Sequence, residues 1–282
     1  MLTREQVRQY TEQGCTVLEN FLGQDEVSSL LSDIESICAD STVAHHDPER
    51  MEMEPGQGPT GSRVRRLYEP CTFYERFRAL SDSPKMLDAM EQLLGPNLVF
   101  HYSKINMKPP AIGSVVEWHQ DLSYYPLTNP DSLAVLFYLD DATLANGCLQ
   151  VIPAAHREPM MDHTRNGFFQ GCITEKVDES RALPLAAPAG SAILMHSMVP
   201  HSSAPNTSTK PRRTLILSYR AADAFPVYLG DMTVSGEAHA RHVRGTPPKA
   251  ARFAGPSIPV PKYPQQVKSL YELQELSRQS RS

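Results

Sequence analysis

The segment LVFHYSKINM, Leu98–Met107, follows Gly95-Pro96 and begins a series of short strand-like segments in this chain of 282 residues. Short runs of β-branched and aromatic residues, bounded by Gly, Pro and Asn, are typical of β-strands. The later segments of this kind are Val115–Asp121, Leu133–Leu139, Cys148–Ile152, Ser191–His196 and Arg213–Tyr219. Many short strands separated by turns predict a mainly β fold with a double-stranded β-helix core, a jelly-roll barrel of the cupin-like kind.

The part of the chain before this segment has helical rather than strand-like patterning. A short strand is expected at Cys15–Leu18, and the stretch 45–62 is an irregular, Pro- and Gly-rich loop that could lie over a site. Apolar residues recur every three to four positions in the stretches 3–14, 24–37, 72–80 and 83–94. We therefore expect N-terminal helices packed outside the barrel.

A single domain spanning residues 1–282 is expected from the length. It divides into a mostly helical part (1–96), a barrel core (97–222) with a predicted lid loop at 154–188, and a C-terminal extension (223–282). In the extension, a closing amphipathic helix is predicted by Val267, Leu270, Leu273 and Leu276. That helix would dock on its own barrel or on a second copy, so a homo-oligomer could form through the C-terminal segment.

The composition narrows the class of partner. A net charge of −5 and a pI near 6.1 give no basic field for nucleic acid. The five cysteines lack CxxC spacing, which argues against a disulfide framework or a thiolate zinc site and favours a reducing compartment. The longest apolar run, Leu133–Leu139, is far shorter than the roughly 20 residues of a membrane helix. We expect a cytoplasmic protein with a small-molecule partner, and neither nucleic acid nor membrane.

The tetrapeptide Trp118-His119-Gln120-Asp121 lies in one of the predicted strands. Residues two apart in a strand project from the same face, so His119 and Asp121 can reach one metal ion. A second histidine would complete a 2-His-1-carboxylate facial triad, which binds Fe(II) and leaves coordination positions open. His201, just beyond a later strand, is the candidate. The HxD tripeptide alone is weak, because a solvated loop can contain the same residues.

An arginine after His201 adds specificity to this combination. If 2-oxoglutarate chelates the iron through its keto acid end, its distal carboxylate needs a planar, two-pronged cation. Arg212 and Arg213 both offer one. Strand alternation places Arg212 on a polar face with Thr214, Ser218 and Arg220, and Arg213 on an apolar face with Leu215, Leu217 and Tyr219. We prefer Arg212, with Arg213 as the alternative.

Five motifs in a fixed order carry a resemblance to a known family. They are Ile105–Pro110, His119–Asp121, Asn146–Leu149, Ile152–Arg157 and His201–Arg212. Between Lys104 and Arg220 the chain thereby resembles the phytanoyl-CoA dioxygenase-like family of iron(II)/2-oxoglutarate-dependent oxygenases. The resemblance implies that His119, Asp121 and His201 are the iron ligands. It also implies that Arg212, Ser203 and Lys108 contact 2-oxoglutarate.

Two positions depart from the family's pattern. The family often has Gly after the distal histidine, where this chain has Ser202, and often an aromatic residue near Leu136. Neither change removes a required group. Outside the triad, His156 and Arg157 are expected to make a structural hydrogen bond, whereas Trp118, Tyr124 and Tyr125 either shape the substrate pocket or belong to the core.

The expected function is that of an iron(II)- and 2-oxoglutarate-dependent dioxygenase that uses O2 to oxidise a C–H bond of a small organic metabolite. Hydroxylation is the default outcome, with release of succinate and CO2. Asp121 disfavours halogenation, because halogenases replace this carboxylate with a small residue. An acyl-CoA substrate is an alternative, against which the absence of a pronounced basic cluster argues. Two other classes remain: a non-catalytic cupin-like metal- or ligand-binding protein, and a metal-dependent isomerase or hydrolase, in which Arg212 would have no task.

Overall fold

A computed structural model describes residues 1–111, 114–227, 238–253 and 270–279. The helices are α1 (Arg4–Gln13), α2 (Gln24–Cys38), α3 (Pro70–Phe73), α4 (Glu75–Ser81), α5 (Pro84–Leu94) and α6 (Leu270–Gln279). The strands are β1 (Cys15–Leu18), β2 (Met51–Met53), β3 (Val64–Tyr68), β4 (Leu98–Lys108), β5 (Val116–His119), β6 (Ser132–Tyr138), β7 (Leu149–Val151), β8 (Thr164–Arg165), β9 (Phe168–Phe169), β10 (Leu183–Pro184), β11 (Ala192–His196), β12 (His201–Ser203), β13 (Arg212–Ala221) and β14 (Arg241–Arg244).

Two antiparallel sheets dominate the described residues. The larger has the strand order β1-β11-β6-β13-β4-β3-β2, with β14 also paired to β4, and the smaller has the order β10-β7-β12-β5. Apart from β2, β3 and β4, the neighbouring strands of these two sheets are not consecutive in the sequence, which is the connectivity of jelly-roll folds rather than of a meander. The predicted mainly β class with helical additions is confirmed.

Strand alternation separates two packed layers in the larger sheet. On β6, Leu133, Val135 and Phe137 belong to the core cluster that contains residues of the N-terminal helices, such as Ile34 and Met90. The intervening β6 residues pack with the smaller sheet in a second cluster, as Ala134, Leu136 and Tyr138. The helices therefore cover the outer face of the larger sheet, and the inner face is left for the interior between the sheets.

Helix α1 begins and ends as its sequence predicts. The Thr3 side chain accepts from the Gln6 N–H at 3.2 Å, and Gln6 Oε1 accepts from the Thr3 N–H at 2.8 Å, which forms a capping box. Gly14 ends the helix with φ of 80°. A Cβ on Gly14 would lie 2.4 Å from the Val199 side chain, so both the backbone and the packing require glycine there.

Two predicted segments differ from the structure. The single helix expected over 72–80 is divided into α3 and α4, because Tyr74 has an extended backbone with φ of −130° and ψ of 127°. Apolar periodicity does not reveal one non-helical residue between two short helices. The irregular stretch 45–62 contains β2, which pairs with β3. Both strands escaped prediction because they are short and mix polar with apolar residues.

The C-terminal helix α6 docks on its own chain. Gln274 Nε2 donates to the Gly171 carbonyl at 2.7 Å, and Arg278 pairs with Glu117 at 2.9 Å. Leu273 is buried against this surface. The predicted closing helix is confirmed for Leu270 onward, and Val267 lies outside the described residues. Among the residues described, no helix is both long and apolar enough to cross a lipid bilayer.

Candidate metal centre

Three potential metal ligands converge between the two sheets. His119 ends β5, His201 begins β12, and the strand register sets these two residues directly opposite each other. Asp121 Oδ1 lies 3.8 Å from His119 Nε2 and 3.7 Å from His201 Nε2. One ligand atom from each residue lies within 4.8 Å of the other two. Atoms bound to one ion at about 2 Å have mutual separations of this order, so the cluster can hold a single metal ion.

Backbone carbonyls orient both imidazoles. His119 Nδ1 lies 2.7 Å from the Glu117 carbonyl oxygen, and His201 Nδ1 lies 2.9 Å from that of Val199. A ring nitrogen that donates to a carbonyl carries the proton, so Nε2 keeps its lone pair for the cluster. Burial lowers the pKa of His201, and it lowers that of His119 well below the usual range. Neutral imidazoles are the form that binds metal.

The strand that carries His119 is shorter than the sequence predicted. β5 ends at His119, and Asp121 begins a 3-10 turn that ends at Ser123. The turn is held by Ser123, whose N–H and Oγ both donate to the Gln120 carbonyl, at 3.1 and 2.7 Å. Gln120 itself is extended, with φ of −119° and ψ of 127°, and therefore His119 and Asp121 still project to the same side.

Gln120 points away from the metal cluster, as the alternation predicts. Its Nε2 donates to the Met198 carbonyl at 2.7 Å, and its Oε1 accepts from the Met161 N–H at 2.9 Å. These bonds tie the ligand-bearing segment to the residues just before His201. The fully buried amide thereby fixes the backbone between the two ligands that flank it.

Arg212 is buried at the cluster's side of β13. Its Nη1 donates to Thr214 Oγ1 at 2.6 Å, and its Nη2 lies 3.5 Å from Ser203 Oγ. Nε has no hydrogen-bond partner among the described residues, and in that part of the chain no carboxylate is within ion-pair distance of the guanidinium. A buried arginine without an acidic partner is costly unless it binds an anion.

Arg213 projects to the opposite face of the same strand. Its Nε and Nη2 donate to the two carboxylate oxygens of Asp140 at 2.9 and 2.7 Å, and its Nη1 pairs with Glu35 at 3.2 Å. Both prongs of this guanidinium are therefore engaged in protein contacts. Of the two arginines that the sequence left open, only Arg212 faces the interior with hydrogen-bonding capacity to spare.

A cavity of about 580 Å³ surrounds the cluster. Its walls come from the inner face of the larger sheet, from β5 and β12, and from the loop and strand at 46–54. Of the stretch 45–62, which the sequence suggested could lie over a site, residues between 46 and 54 line this cavity. The described lining includes Tyr124 and Tyr125 but no residue of the segment 154–188, which carries the β8–β9 hairpin instead.

Comparison with protein families agrees with this geometry. The model of the phytanoyl-CoA dioxygenase (PhyH) family matches residues 10–214. The chain belongs to the phytanoyl-CoA dioxygenase family. The match includes the whole region between α1 and the start of β13, and so contains the metal cluster and both arginines.

Two relatives within the family cover most of this chain. A probable alpha-ketoglutarate-dependent hypophosphite dioxygenase of Stutzerimonas stutzeri is 35% identical over 230 residues, which are 79% of this chain and 80% of the relative. A methylphosphonate hydroxylase of Gimesia maris is 31% identical over 224 residues, 78% of this chain and 81% of the relative.

A solved structure also resembles this family member. The crystal structure of EctD from S. alaskensis with bound Fe has a TM-score of 0.69 at 23% identity, and the likeness covers 90% of this chain and 88% of that one. At this identity the likeness establishes the fold alone. It agrees with the predicted cupin-like class.

Lys108, expected near the cosubstrate from the family resemblance, has its ammonium enclosed by main-chain carbonyls. It donates to those of Ser114 at 2.6 Å, Ala204 at 2.6 Å and Ser203 at 3.3 Å. Burial, followed by the nearby Arg212 charge, lowers the pKa of Lys108 to about 6. All three contacts are to main-chain carbonyls of the protein, so in this structure Lys108 joins β4 to the segment after His201. Its contact with the cosubstrate stays a prediction.

His163 supports the centre and was given no role by the sequence. Its Nε2 accepts from the Gln120 N–H at 3.1 Å, and its Nδ1 lies 2.8 Å from the Met161 carbonyl. It therefore fixes the peptide between His119 and Asp121. No local motif marks it, because the contact joins segments far apart in the chain. His156 and Arg157 contact the Thr11 carbonyl at 3.2 and 2.7 Å, the structural role that was predicted.

Three polar or charged residues of the cavity wall were also not predicted from the sequence. Lys104 and Asn106 lie on β4, and Arg66 lies on the neighbouring β3, with all three lining the cavity. The period-two pattern of Tyr102, Lys104, Asn106 and Lys108 was visible in the sequence and would have placed them on one face. Arg66 could not have been found in this way, because β3 was not recognised as a strand.

Proposed function

We propose that this chain is an iron(II)- and 2-oxoglutarate-dependent dioxygenase that hydroxylates a C–H bond of a small organic metabolite, with release of succinate and CO2. One observation carries the proposal. A cluster of two neutral imidazoles and one carboxylate shares a cavity with a buried arginine that has no acidic partner in the described part of the chain. The donor set suits ferrous ion, and the arginine suits the distal carboxylate of a dicarboxylic cosubstrate.

Each residue has a defined task in this proposal. His119, Asp121 and His201 would hold the iron, and Arg212 would bind the distal carboxylate of 2-oxoglutarate, with Ser203 Oγ as a second donor. Lys108 would act beside them, by holding the Ser203–Ala204 backbone. Bound iron and 2-oxoglutarate would supply the oxidant from O2. The chain orients the substrate and keeps water from the centre.

The residues of the cavity wall support the role proposed for the chain, which is to orient the substrate and to exclude water. Leu136, Ile216 and Met195 line it with apolar groups, and Tyr124 contacts the His119 ring edge-on at 5.5 Å. An apolar wall beside the metal excludes water from the reacting C–H bond. The presence of Asp121 in the cluster disfavours halogenation, since its carboxylate occupies the place that a halide would need.

A small metabolite is favoured over an acyl-CoA. The two relatives above, named for hypophosphite and methylphosphonate, are more similar to this chain than the rat peroxisomal phytanoyl-CoA dioxygenase, which is 25% identical over 258 residues. An L-proline trans-4-hydroxylase of Streptomyces griseoviridis is 27% identical. The acyl-CoA alternative predicts turnover only with a thioester substrate.

Anaerobic titration tests the proposal. Addition of iron(II) and then 2-oxoglutarate should produce the weak visible charge-transfer band of the chelate, and aerobic incubation with a substrate panel should release succinate. A band without succinate for any substrate would indicate the non-catalytic cupin-like alternative. Turnover of a substrate without 2-oxoglutarate would instead indicate an isomerase or hydrolase.

We further propose a cytoplasmic protein that forms a single domain, 1–282, with the three parts given above. Its partner would be a small molecule, and neither nucleic acid nor a membrane. A homo-oligomer formed through the C-terminal segment remains part of this proposal, although α6 buries Leu273 within its own chain. Light scattering on wild type and on a chain ending before Leu270 would test the oligomer.

A further inference from the structure

One lysine of the cavity is left without a hydrogen bond. Lys104 lies on β4, two positions before Asn106 and four before Lys108, and shares their cavity-facing side. Its ammonium makes neither a hydrogen bond nor an ion pair in the part of the chain that is described, and its contact is with the Tyr102 ring, 5.7 Å from Nζ to the centroid. Lys108, by contrast, is enclosed by three carbonyls.

Arg66 stands next to this lysine on the neighbouring strand. The β3–β4 register pairs Arg66 with Asn106 and Tyr68 with Lys104. Arg66 Nε donates to Asn106 Oδ1 at 3.0 Å, and Nη1 donates to Glu52 Oε2 at 2.9 Å. These bonds fix the guanidinium plane, whereas Nη2 makes no hydrogen bond to the residues described. The side chain is therefore pre-organised with one edge still able to donate.

A third donor belongs to the same face. Tyr102 lines the cavity, and its hydroxyl makes no hydrogen bond within the described ranges. In the same hydrogen-bond network, Glu52 Oε2 accepts from Arg66 Nη1 and from the Tyr68 hydroxyl, each at 2.9 Å. An ammonium, a guanidinium edge and a phenol thus line one cavity, which also contains the carboxylates of Glu52, Glu69 and Asp121, and none of the three donors has a hydrogen-bond acceptor among the described residues. Such groups together recognise an oxyanion.

The position of Lys104 relative to the three candidate metal ligands indicates which molecule the bound oxyanion would belong to. Lys104 lines the same cavity as His119, Asp121 and His201. Arg212 contacts Ser203 and Thr214 rather than Lys104, and it is assigned to the cosubstrate. An anion held by Lys104 would therefore be part of the substrate rather than of 2-oxoglutarate.

We propose that Lys104, Arg66 and Tyr102 form a substrate subsite for a small tetrahedral oxyanion, a phosphonate group whose neighbouring C–H bond would face the metal. The inference rests on the proposed function. Three donors from three separate side chains suit the three oxygens of a tetrahedral group better than the two coplanar oxygens of a carboxylate, for which one arginine suffices. The sequence identity of 31% to the methylphosphonate hydroxylase points the same way.

The experiment uses the full-length protein loaded with nickel(II) and 2-oxoglutarate, so that binding is measured without turnover. Calorimetric titration with methylphosphonate compares wild type with Lys104→Met, which keeps the length of the side chain and removes its charge. Loss of a charge-assisted contact should raise the Kd about 30-fold. Lys104→Arg, which keeps the positive charge, should bind methylphosphonate more tightly than Lys104→Met does. Lys176→Met, at an exposed position, is the matched control and should leave the Kd unchanged.

Two further ligands define the chemistry of the subsite. Dimethyl methylphosphonate has a similar shape without charge, and should bind wild type no better than methylphosphonate binds Lys104→Met. Acetate tests a planar anion, and should bind wild type at least about tenfold more weakly than methylphosphonate. Equal affinity of wild type and Lys104→Met for methylphosphonate, or no binding by wild type, would overturn the subsite. Equal affinity of wild type for acetate and methylphosphonate would overturn its tetrahedral character.

The charge-transfer band separates this inference from the proposed function. With iron(II) and 2-oxoglutarate, wild type and Lys104→Met should both form the band, which also shows that the variant is folded. If wild type forms no band, the proposed function fails. If both proteins form it and bind methylphosphonate equally, only the subsite fails.

Discussion

At the scale of single residues, two main-chain carbonyls determine what the paired imidazoles can do. Those of Glu117 and Val199 accept from Nδ1 of His119 and His201, which leaves both Nε2 atoms near Asp121 Oδ1. The identity of the three residues was predictable from the HxD motif and the later histidine. The carbonyl contacts were not, because they depend on backbone direction, which sequence spacing does not encode.

Asp121→Ala should abolish succinate formation and weaken metal binding. The substitution removes the only carboxylate of the cluster and leaves two neutral nitrogens, which bind ferrous ion poorly. Mutation of a residue that only hydrogen-bonds a metal ligand lowers metal affinity by about 10- to 100-fold. Removal of a ligand itself should lower the affinity by more than this. Metal content after dialysis and succinate release measure the two effects. Asp40→Ala, at an exposed position, should retain both; unchanged turnover by Asp121→Ala would exclude this ligand set.

Arg212→Ala should raise the KM for 2-oxoglutarate about 100-fold, because it removes a buried, two-pronged cation. Arg213→Ala is the matched control, since its guanidinium is bound to Asp140 and Glu35 on the other face. It should lower stability without a large change in that KM. Steady-state kinetics with varied 2-oxoglutarate measure both, and the reverse pattern would show that the assignment by strand parity is mistaken.

Glu69 gives the stability a defined pH dependence. Burial raises its pKa from the ordinary value of 4.5 to about 7, while Ser103 Oγ donates to Oε2 at 3.2 Å. Between pH 4.5 and about 7, the folded chain keeps a proton on Glu69 that the unfolded chain releases. The contribution of Glu69 to the free energy of unfolding therefore falls as pH rises through this range, and it is constant above about pH 7. Relative to Glu69→Gln, wild type should lose about 1–3 kcal/mol of unfolding free energy across that window. Urea titrations at several pH values measure it. Glu75→Gln, at an exposed site, should show no such change.

At the scale of elements, the success of prediction depended on how strongly each segment is patterned. β1 was predicted with its observed bounds, and α5 and β4 to within one residue, because periodicity and the Gly95-Pro96 break mark them clearly. β2 and β3 were missed, and with them Arg66. Short strands that mix charged and apolar residues on a cavity wall carry no regular pattern, since their polar residues face inward.

Helix α6 offers a test within one element. Leu273 is buried and Leu276 is 49% exposed. Leu273→Ala should cost about 2–4 kcal/mol of the stability of this helix, as expected for a buried leucine, and Leu276→Ala under about 0.5 kcal/mol. Amide hydrogen exchange should then rise in α6 and around Gly171, which Gln274 contacts. Equal exchange in the two variants would mean that α6 is not held by this contact.

At the scale of the whole molecule, the metal cluster depends on two sheets facing each other. The smaller sheet contributes β5 and β12 with the histidines, and the larger contributes β13 with Arg212 and β4 with Lys104. The sequence predicted the fold class and the shared site, but strand order decides which side chains meet across the interior. That order follows from long-range pairing, for which a single sequence gives little information.

Ligands that bind only the folded molecule should stabilise it as a whole. At about 100-fold excess over Kd, each ligand adds roughly 2.7 kcal/mol, or about 5 to 10 °C in Tm for a chain of this size. Iron(II) and 2-oxoglutarate together should therefore raise the Tm under anaerobic conditions, and a chelator should reverse the rise. In Arg212→Ala the metal contribution should persist while that of 2-oxoglutarate is lost. If neither iron(II) nor 2-oxoglutarate changes the Tm of the wild type, this result would count against a preformed centre.

The glycine at the end of α1 links the opening of the chain to this centre. A Cβ at position 14 would meet both the Val199 side chain and the His156 ring, at 2.4 and 2.6 Å, and Val199 supplies the carbonyl that orients His201. Even one added methyl group there would push on the segment that orients His201, a proposed metal ligand, although position 14 lies outside the candidate centre itself. Variation at the end of this first helix is thus constrained by the geometry that the proposed metal centre needs in the interior.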